Sequence, residues 1–101
     1  MDERQFQFEW DEIKVAANVY KHGISFELAA TIFYDPRIVT VADLVHNETE
    51  ERWLSLGIAA NGSILCIVYL WSESEPLLTK IRLISARKAT PAEVKQYEEG
   101  L

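Results

Sequence analysis

Two short segments of this sequence carry residues suited to chemistry on a phosphate. Lys21-His22 sets an ammonium beside an imidazole, and the run Arg82-Leu83-Ile84-Ser85-Ala86-Arg87 supplies two guanidinium groups. Imidazole is the side chain best matched to proton transfer near neutral pH. Planar Arg forks bind phosphate oxygens in pairs and stabilise charge that develops in a transition state. Both segments also have plainer readings. Lys21 and His22 can serve as last-turn charges that complement a helix C-terminus. Arg82 and Arg87 can form surface ion pairs, each contributing about 0–1 kcal/mol. The two arginines also differ in parity, so a regular strand running through both points them to opposite faces, an objection that a strand ending near Ser85 removes.

Other constellations are weaker. His46 with Asp43 and Glu48 matches no tight metal-ligand spacing, so no metal site is expected. There is no Gly-rich phosphate loop and no spaced Cys/His motif, and no cofactor is expected. Cys66, alone in the apolar run Ile64 to Trp71, reads as a buried, inert thiol suited to a reducing cytosol.

The net charge of −6 is unusual for a protein that holds nucleic acid by phosphate neutralisation, so an RNA or DNA role must rest on a local patch. Lys80, Arg82, Arg87 and Lys88 supply one, with Lys14 and Lys21 earlier in the chain. The acids gather elsewhere, in Asp43, Glu48, Glu50 and Glu51 and in Glu73 and Glu75, which read as solvated loops. A chain of 101 residues with 49% hydrophobic content suits one core, and a single domain spanning 1–101 is expected. No apolar run reaches the roughly 20 residues of a membrane span and no export signal is visible, so the expected location is cytoplasmic.

Trp10, Ile13, Ala17 and Tyr20 recur at helical spacing and predict an amphipathic helix from about Asp11 to His22, ended by Gly23. Asp11, Asn18 and His22 fall on the face away from that stripe. Ser25 caps a second, shorter helix with Phe26, Ala29, Ala30 and Phe33 on one face, stopped by Asp35-Pro36. A short strand is expected within residues 37–45. Leu54, Leu56 and Ile58 alternate as in a half-buried strand, and Asn61-Gly62 predicts a type I′ turn into a central strand, Ile64 to Trp71. The Ser72-to-Pro76 segment reads as a loop, followed by a strand from Thr79 to Ala86. Thr90-Pro91-Ala92-Glu93 is a capping box with proline at the first helical position, and Val94, Tyr97 and Leu101 form the apolar face of the helix it opens. The expected fold is α+β: two N-terminal helices, an antiparallel sheet of three to four strands and a C-terminal helix.

Trp10-Asp11, Lys14, Asn18 and Lys21-His22-Gly23-Ile24-Ser25-Phe26-Glu27 resemble the opening signature of the BrnT toxin family. Asp35-Pro36, Glu50-Glu51-Arg52, Gly57, the run Ile81 to Arg87, Glu93 and Tyr97 follow in that family's order, so the resemblance covers roughly residues 6–99. It implies a RelE-like fold, a toxin of a bacterial type II toxin–antitoxin pair, and metal-independent RNA cleavage by attack of the substrate's own 2′-hydroxyl. Under that resemblance His22 is the general acid/base, Lys21 and Arg82 neutralise the phosphate, Arg87 holds the backbone or helps the leaving oxygen, and Glu51 is the alternative base. The implied partner is a BrnA-like antitoxin that carries the DNA-binding part, in a heterotetramer built on an antitoxin dimer. The rival reading is a non-catalytic interaction domain that binds such a partner.

Overall fold

The computed structural model describes residues 5–42 and 52–100. The elements run β1 (Gln5–Glu9), α1 (Glu12–His22), α2 (Phe26–Ala30) continued by a 3-10 turn (Thr31–Tyr34), β2 (Val39–Ala42), β3 (Arg52–Ile58), β4 (Ile64–Glu75), β5 (Leu78–Lys88) and α3 (Pro91–Glu99). The strands make one mixed sheet in the order β1-β5-β4-β3-β2, antiparallel except for the parallel pair β1 and β5.

The α+β class and both N-terminal helices agree with the sequence reading, but among the described residues the sheet has five strands and begins before the first helix. The added strand is Gln5–Glu9, where Phe6 and Phe8 alternate with exposed polar residues and pack on the core, a period of two in a segment too short to stand out. β4 is central, as its unbroken apolar run requires: Leu65, Ile67 and Tyr69 meet one layer, Cys66 the other.

Three local expectations change. β4 extends through the predicted Ser72-to-Pro76 loop, and the turn is Pro76-Leu77, with Leu77 left-handed at φ 65. Asn61 has no positive φ, so the β3–β4 connection is not a type I′ turn. Gly62 alone is left-handed, at φ 87, and its N–H bonds the Ala59 carbonyl while Ala59 N–H bonds the Ser63 carbonyl, closing a three-residue loop. The third concerns α1: of its predicted stripe Trp10 packs on the core, but Ile13 is 81% and Tyr20 95% exposed, and the buried residue of the helix is Asn18.

One sheet face is covered by α1, α2 and the 3-10 turn over a core of Phe26, Ala29, Ile32, Leu65, Ile67, Tyr69, Ile81, Leu83 and Ala86. The approach is tight at Gly57, where an added Cβ would stand 2.9 Å from Ile32 Cβ. The opposite face carries α3, whose Tyr97 packs with Leu56 and Cys66. Asp35 ties the layers together. Its carboxylate accepts from Ile58 N–H at 2.9 Å, Arg37 N–H at 2.9 Å and the Tyr97 hydroxyl at 2.6 Å. Among the described residues no helix is long and apolar enough to cross a membrane.

Candidate active site

The C-terminal turn of α1 is set by its caps and by one buried side chain. Asp11 accepts from Ile13 N–H at 2.8 Å at one end, and Gly23, left-handed at φ 69, ends the other. Asn18 then locks the helix to β5. Its carboxamide donates to Ala86 C=O at 2.8 Å and to Ile24 C=O at 3.0 Å and accepts from Ala86 N–H at 3.0 Å. β1 pairs β5 only as far as Arg82, so Asn18 supplies to Ala86 the hydrogen bonds that a neighbouring strand would otherwise make. His22 lies one turn beyond Asn18 on the same side of α1 and is half-buried, with Lys21 exposed beside it.

The strand itself removes the parity objection by a different route from early termination. β5 runs through both arginines to Lys88, but its pairing with β4 steps from Ser85 opposite Val68 to Leu83 opposite Tyr69. Ile84 is therefore an extra residue, a β-bulge that reverses alternation beyond it. Arg82 stands opposite Leu70 and Arg87 opposite Cys66, both on the α3 face of the sheet. Four residues of β4 separate their partners, about 13 Å along the strand.

The two arginines are in different states. Arg87 donates to both carboxylate oxygens of Glu93, at 2.7 and 2.9 Å, and to Lys88 C=O at 3.3 Å. The fork from Arg87, against some opposing burial, holds the Glu93 carboxyl down to about 2. The same carboxylate accepts from Thr90 N–H at 2.8 Å, so one Glu both caps α3 and holds Arg87. Arg82 is exposed and makes a looser contact, 3.8 Å from Glu9 Oε1. Among the described residues no hydrogen bond or ion pair joins Lys21 or His22 to either arginine. Glu51 lies outside the described residues, as do Leu101 and the segment holding Asp43, His46, Glu48 and Glu50. Among the described residues no three His, Cys, Asp or Glu side chains gather as a metal-binding group. Burial pushes the Cys66 thiol up to about 12, which keeps it protonated and inert.

The fold thus ties the turn of α1 that precedes Lys21 and His22 to Ala86 of β5 and holds Arg82 further along the α3 face. Sequence reasoning missed the roles of Asn18 and of Glu93 as Arg87's partner. A polar residue inside an otherwise helical segment was the available signal for the first. An apolar cavity of about 400 Å³, lined by Phe6, Phe33, Ile38, Thr40, Trp53, Tyr69 and Trp71, lies on the opposite face of the sheet from both arginines.

A sequence model of the family described as ribonuclease toxin, BrnT, of type II toxin–antitoxin system matches residues 10–93 of this chain. Comparison with curated protein sequences gives no match. The fold is similar to the 1.1 Å crystal structure of the Brucella abortus ribonuclease toxin BrnT, with a TM-score of 0.62 and 20% sequence identity over 85% of this chain and 99% of that one.

Proposed function

This chain belongs to the family of BrnT ribonuclease toxins of type II toxin–antitoxin systems, and on that premise we propose that it cuts RNA by a metal-independent transesterification. In this reaction the 2′-hydroxyl loses its proton to a base as its oxygen bonds to the adjacent phosphorus. The bond from phosphorus to the 5′-oxygen breaks, and that oxygen takes a proton from an acid. A 2′,3′-cyclic phosphate and a 5′-hydroxyl result. The chemistry needs a proton-transfer group and fixed positive charge, and no oxidant or cofactor.

His22 is the proton-transfer group in this proposal, with Lys21 and Arg82 supplying charge to the pentacoordinate phosphate. Glu51 is the alternative base. Arg87, its fork held by Glu93, acts as a fixed positive charge that positions α3 rather than as a mobile phosphate clamp. The observation that supports the reading is the Asn18 lock, which ties the turn of α1 before the half-buried His22 to Ala86 of β5.

The test is cleavage of total RNA by the purified chain in EDTA, native against His22→Ala and Arg82→Ala variants of confirmed folding. The expected loss is about a hundredfold or more for each variant. RNA left intact by the folded native chain, with and without ribosomes, overturns the ribonuclease reading.

A second reading has its own observation. Ile13, Val19 and Tyr20 leave α1 with an exposed apolar face that suits a protein partner. We propose that a BrnA-like antitoxin is bound, in a heterotetramer with the antitoxin dimerised. If the chain is only an interaction domain, His22→Ala leaves its effect on cell growth intact.

A further inference from the structure

The outward side of α1 carries an apolar stripe with a charged border. Ile13, Ala16, Ala17 and Tyr20 fall at i, i+3, i+4 and i+7 of the helix, so they share one face, on the side away from Asn18 and His22. Ile13 is 81% and Tyr20 95% exposed, and the two alanines between them are exposed as well. A large apolar side chain at each end and two small ones in the middle leave a shallow seat. Another helix axis can lie in it at the close end of the usual spacing of about 8–10 Å. Lys14 and Lys21 run along one flank of the stripe, about two turns or 10 Å apart, and both are exposed. Among the described residues neither has an ion-pair partner. The other flank begins with Glu12, whose carboxylate accepts from Trp10 Nε1 at 3.2 Å.

We propose that an acidic amphipathic helix of the BrnA-like partner docks lengthwise on α1, with apolar side chains over Ala16 and Ala17 between Ile13 and Tyr20, and carboxylates on Lys14 and Lys21. The inference rests on the partner reading above and deepens it by giving that contact a place and a chemistry. Anchors at i, i+3, i+4 and i+7 are the pattern by which one helix packs along another. Two lysines in line at the same period call for carboxylates one heptad apart on the opposing helix. RNA suits this face less well, because aliphatic Ile13 and the alanines give a base nothing to stack on and Tyr20 offers one ring. A second copy packing α1 on α1 brings Glu12, already engaged by Trp10, and Asp11, already the helix cap. Inhibition follows from the basic flank. Lys21 is the charge proposed to neutralise the phosphate, so a carboxylate seated on it takes that charge from the substrate while the partner is bound.

The experiment measures the affinity of the purified chain for its BrnA-like antitoxin at low and at high salt, with each variant's folding confirmed by its thermal midpoint. Tyr20→Ala and Ile13→Ser are each expected to weaken binding by about tenfold or more at both salt concentrations. Lys14→Glu is expected to weaken it about tenfold at low salt and little at high salt, where screening removes the pair from the native complex too. In the native complex a carbodiimide, which joins an amine to a carboxylate in contact with it, should link Lys14 to an acid within an amphipathic helical segment of the antitoxin, as read by mass spectrometry of the digest. An antitoxin complex that tolerates all three substitutions, or that yields links from Lys88 or Lys95 and none from Lys14, overturns the inference and leaves the partner reading standing. Weakened RNA binding in Tyr20→Ala with antitoxin binding intact overturns it too, and gives the face to RNA. A native chain that binds no BrnA-like antitoxin overturns both.

Discussion

At the residue scale, two side chains hold the site and neither touches substrate in the proposed reaction. Asn18 is buried and satisfies both backbone groups of Ala86 together with the Ile24 carbonyl. Asn18→Ala leaves three buried polar groups without partners, and the expected loss is about 2–4 kcal/mol in chemical denaturation. Cleavage should fall with it even where the variant remains folded, because the turn carrying His22 is released from β5. Glu93 gives a pH-dependent prediction. Its folded carboxyl is held at about 2 against an ordinary 4.5. A depressed carboxyl stabilises the fold above its unfolded value, and that stabilisation is lost as pH falls from about 4.5 toward 2. The shift corresponds at face value to about 3 kcal/mol. With Arg87 38% exposed and Glu93 17%, solvent screening reduces it to about 1–2 kcal/mol. Stability measured between pH 6 and pH 3 should therefore fall less steeply in Glu93→Gln than in the native chain, and parallel curves would remove the fork from the account.

At the scale of elements, the turn between β4 and β5 stores strain that can be removed. Leu77 is left-handed at φ 65, follows Pro76 and is exposed, the third position of a turn that favours Gly or Asn. Leu77→Gly is expected to raise stability by about 0.5–1 kcal/mol, the gain from relieving the Cβ clash less the entropy that glycine loses. A fall in thermal midpoint would show that Leu77 makes contacts that outweigh the strain. Elements marked by local chemistry were legible in the sequence. The Thr90-Pro91-Ala92-Glu93 box, the Ser25 cap and Gly23 each fix a backbone hydrogen bond within a few residues, and each is present. What was not legible depends on partners distant in sequence. The apolar stripe of α1 predicted the wrong buried face because the helix docks through an amide on a strand edge, and no hydrophobic period records that. The strand Gln5–Glu9 is stabilised by its parallel pairing with β5, a partner about seventy residues further along the chain. For the site, residue types were readable while their pairing was not: Glu93 was visible as a cap, but not as the partner of Arg87.

At the scale of the whole molecule, the two layers are coupled through one carboxylate. Burial works to raise the Asp35 carboxyl, but the hydrogen bonds from Ile58, Tyr97 and Arg37, with the Arg37 charge, outweigh it and leave it lowered. Arg37 also lies 5.8 Å from the Tyr97 ring centroid, so the end of the 3-10 turn, β3 and α3 meet at one point. Tyr97→Phe removes a single hydroxyl at that junction and is expected to cost about 1–2 kcal/mol. Amide exchange should quicken throughout α3 while the helical layer on the other face is unaffected. Uniform quickening over the whole sheet would instead show that the layers open together.

The bulge at Ile84 acts on the chain as a phase inverter. Up to Leu83, odd-numbered residues of β5 enter the helix-covered core; past the extra residue, even-numbered Ala86 does so and odd-numbered Arg87 leaves it. Core and charge on this strand are therefore encoded in two opposite reading phases joined at one position. A regular strand that kept Ile84 in the ladder would turn the Arg87 guanidinium toward the place Ala86 fills. Deleting Ile84 instead lets Leu83 and Ser85 pair in succession with Tyr69 and Val68, and is predicted to leave Ala86 and Arg87 on their present faces. The phase of the strand beyond Leu83 is thus set by where the extra residue sits, as much as by the order of residue types.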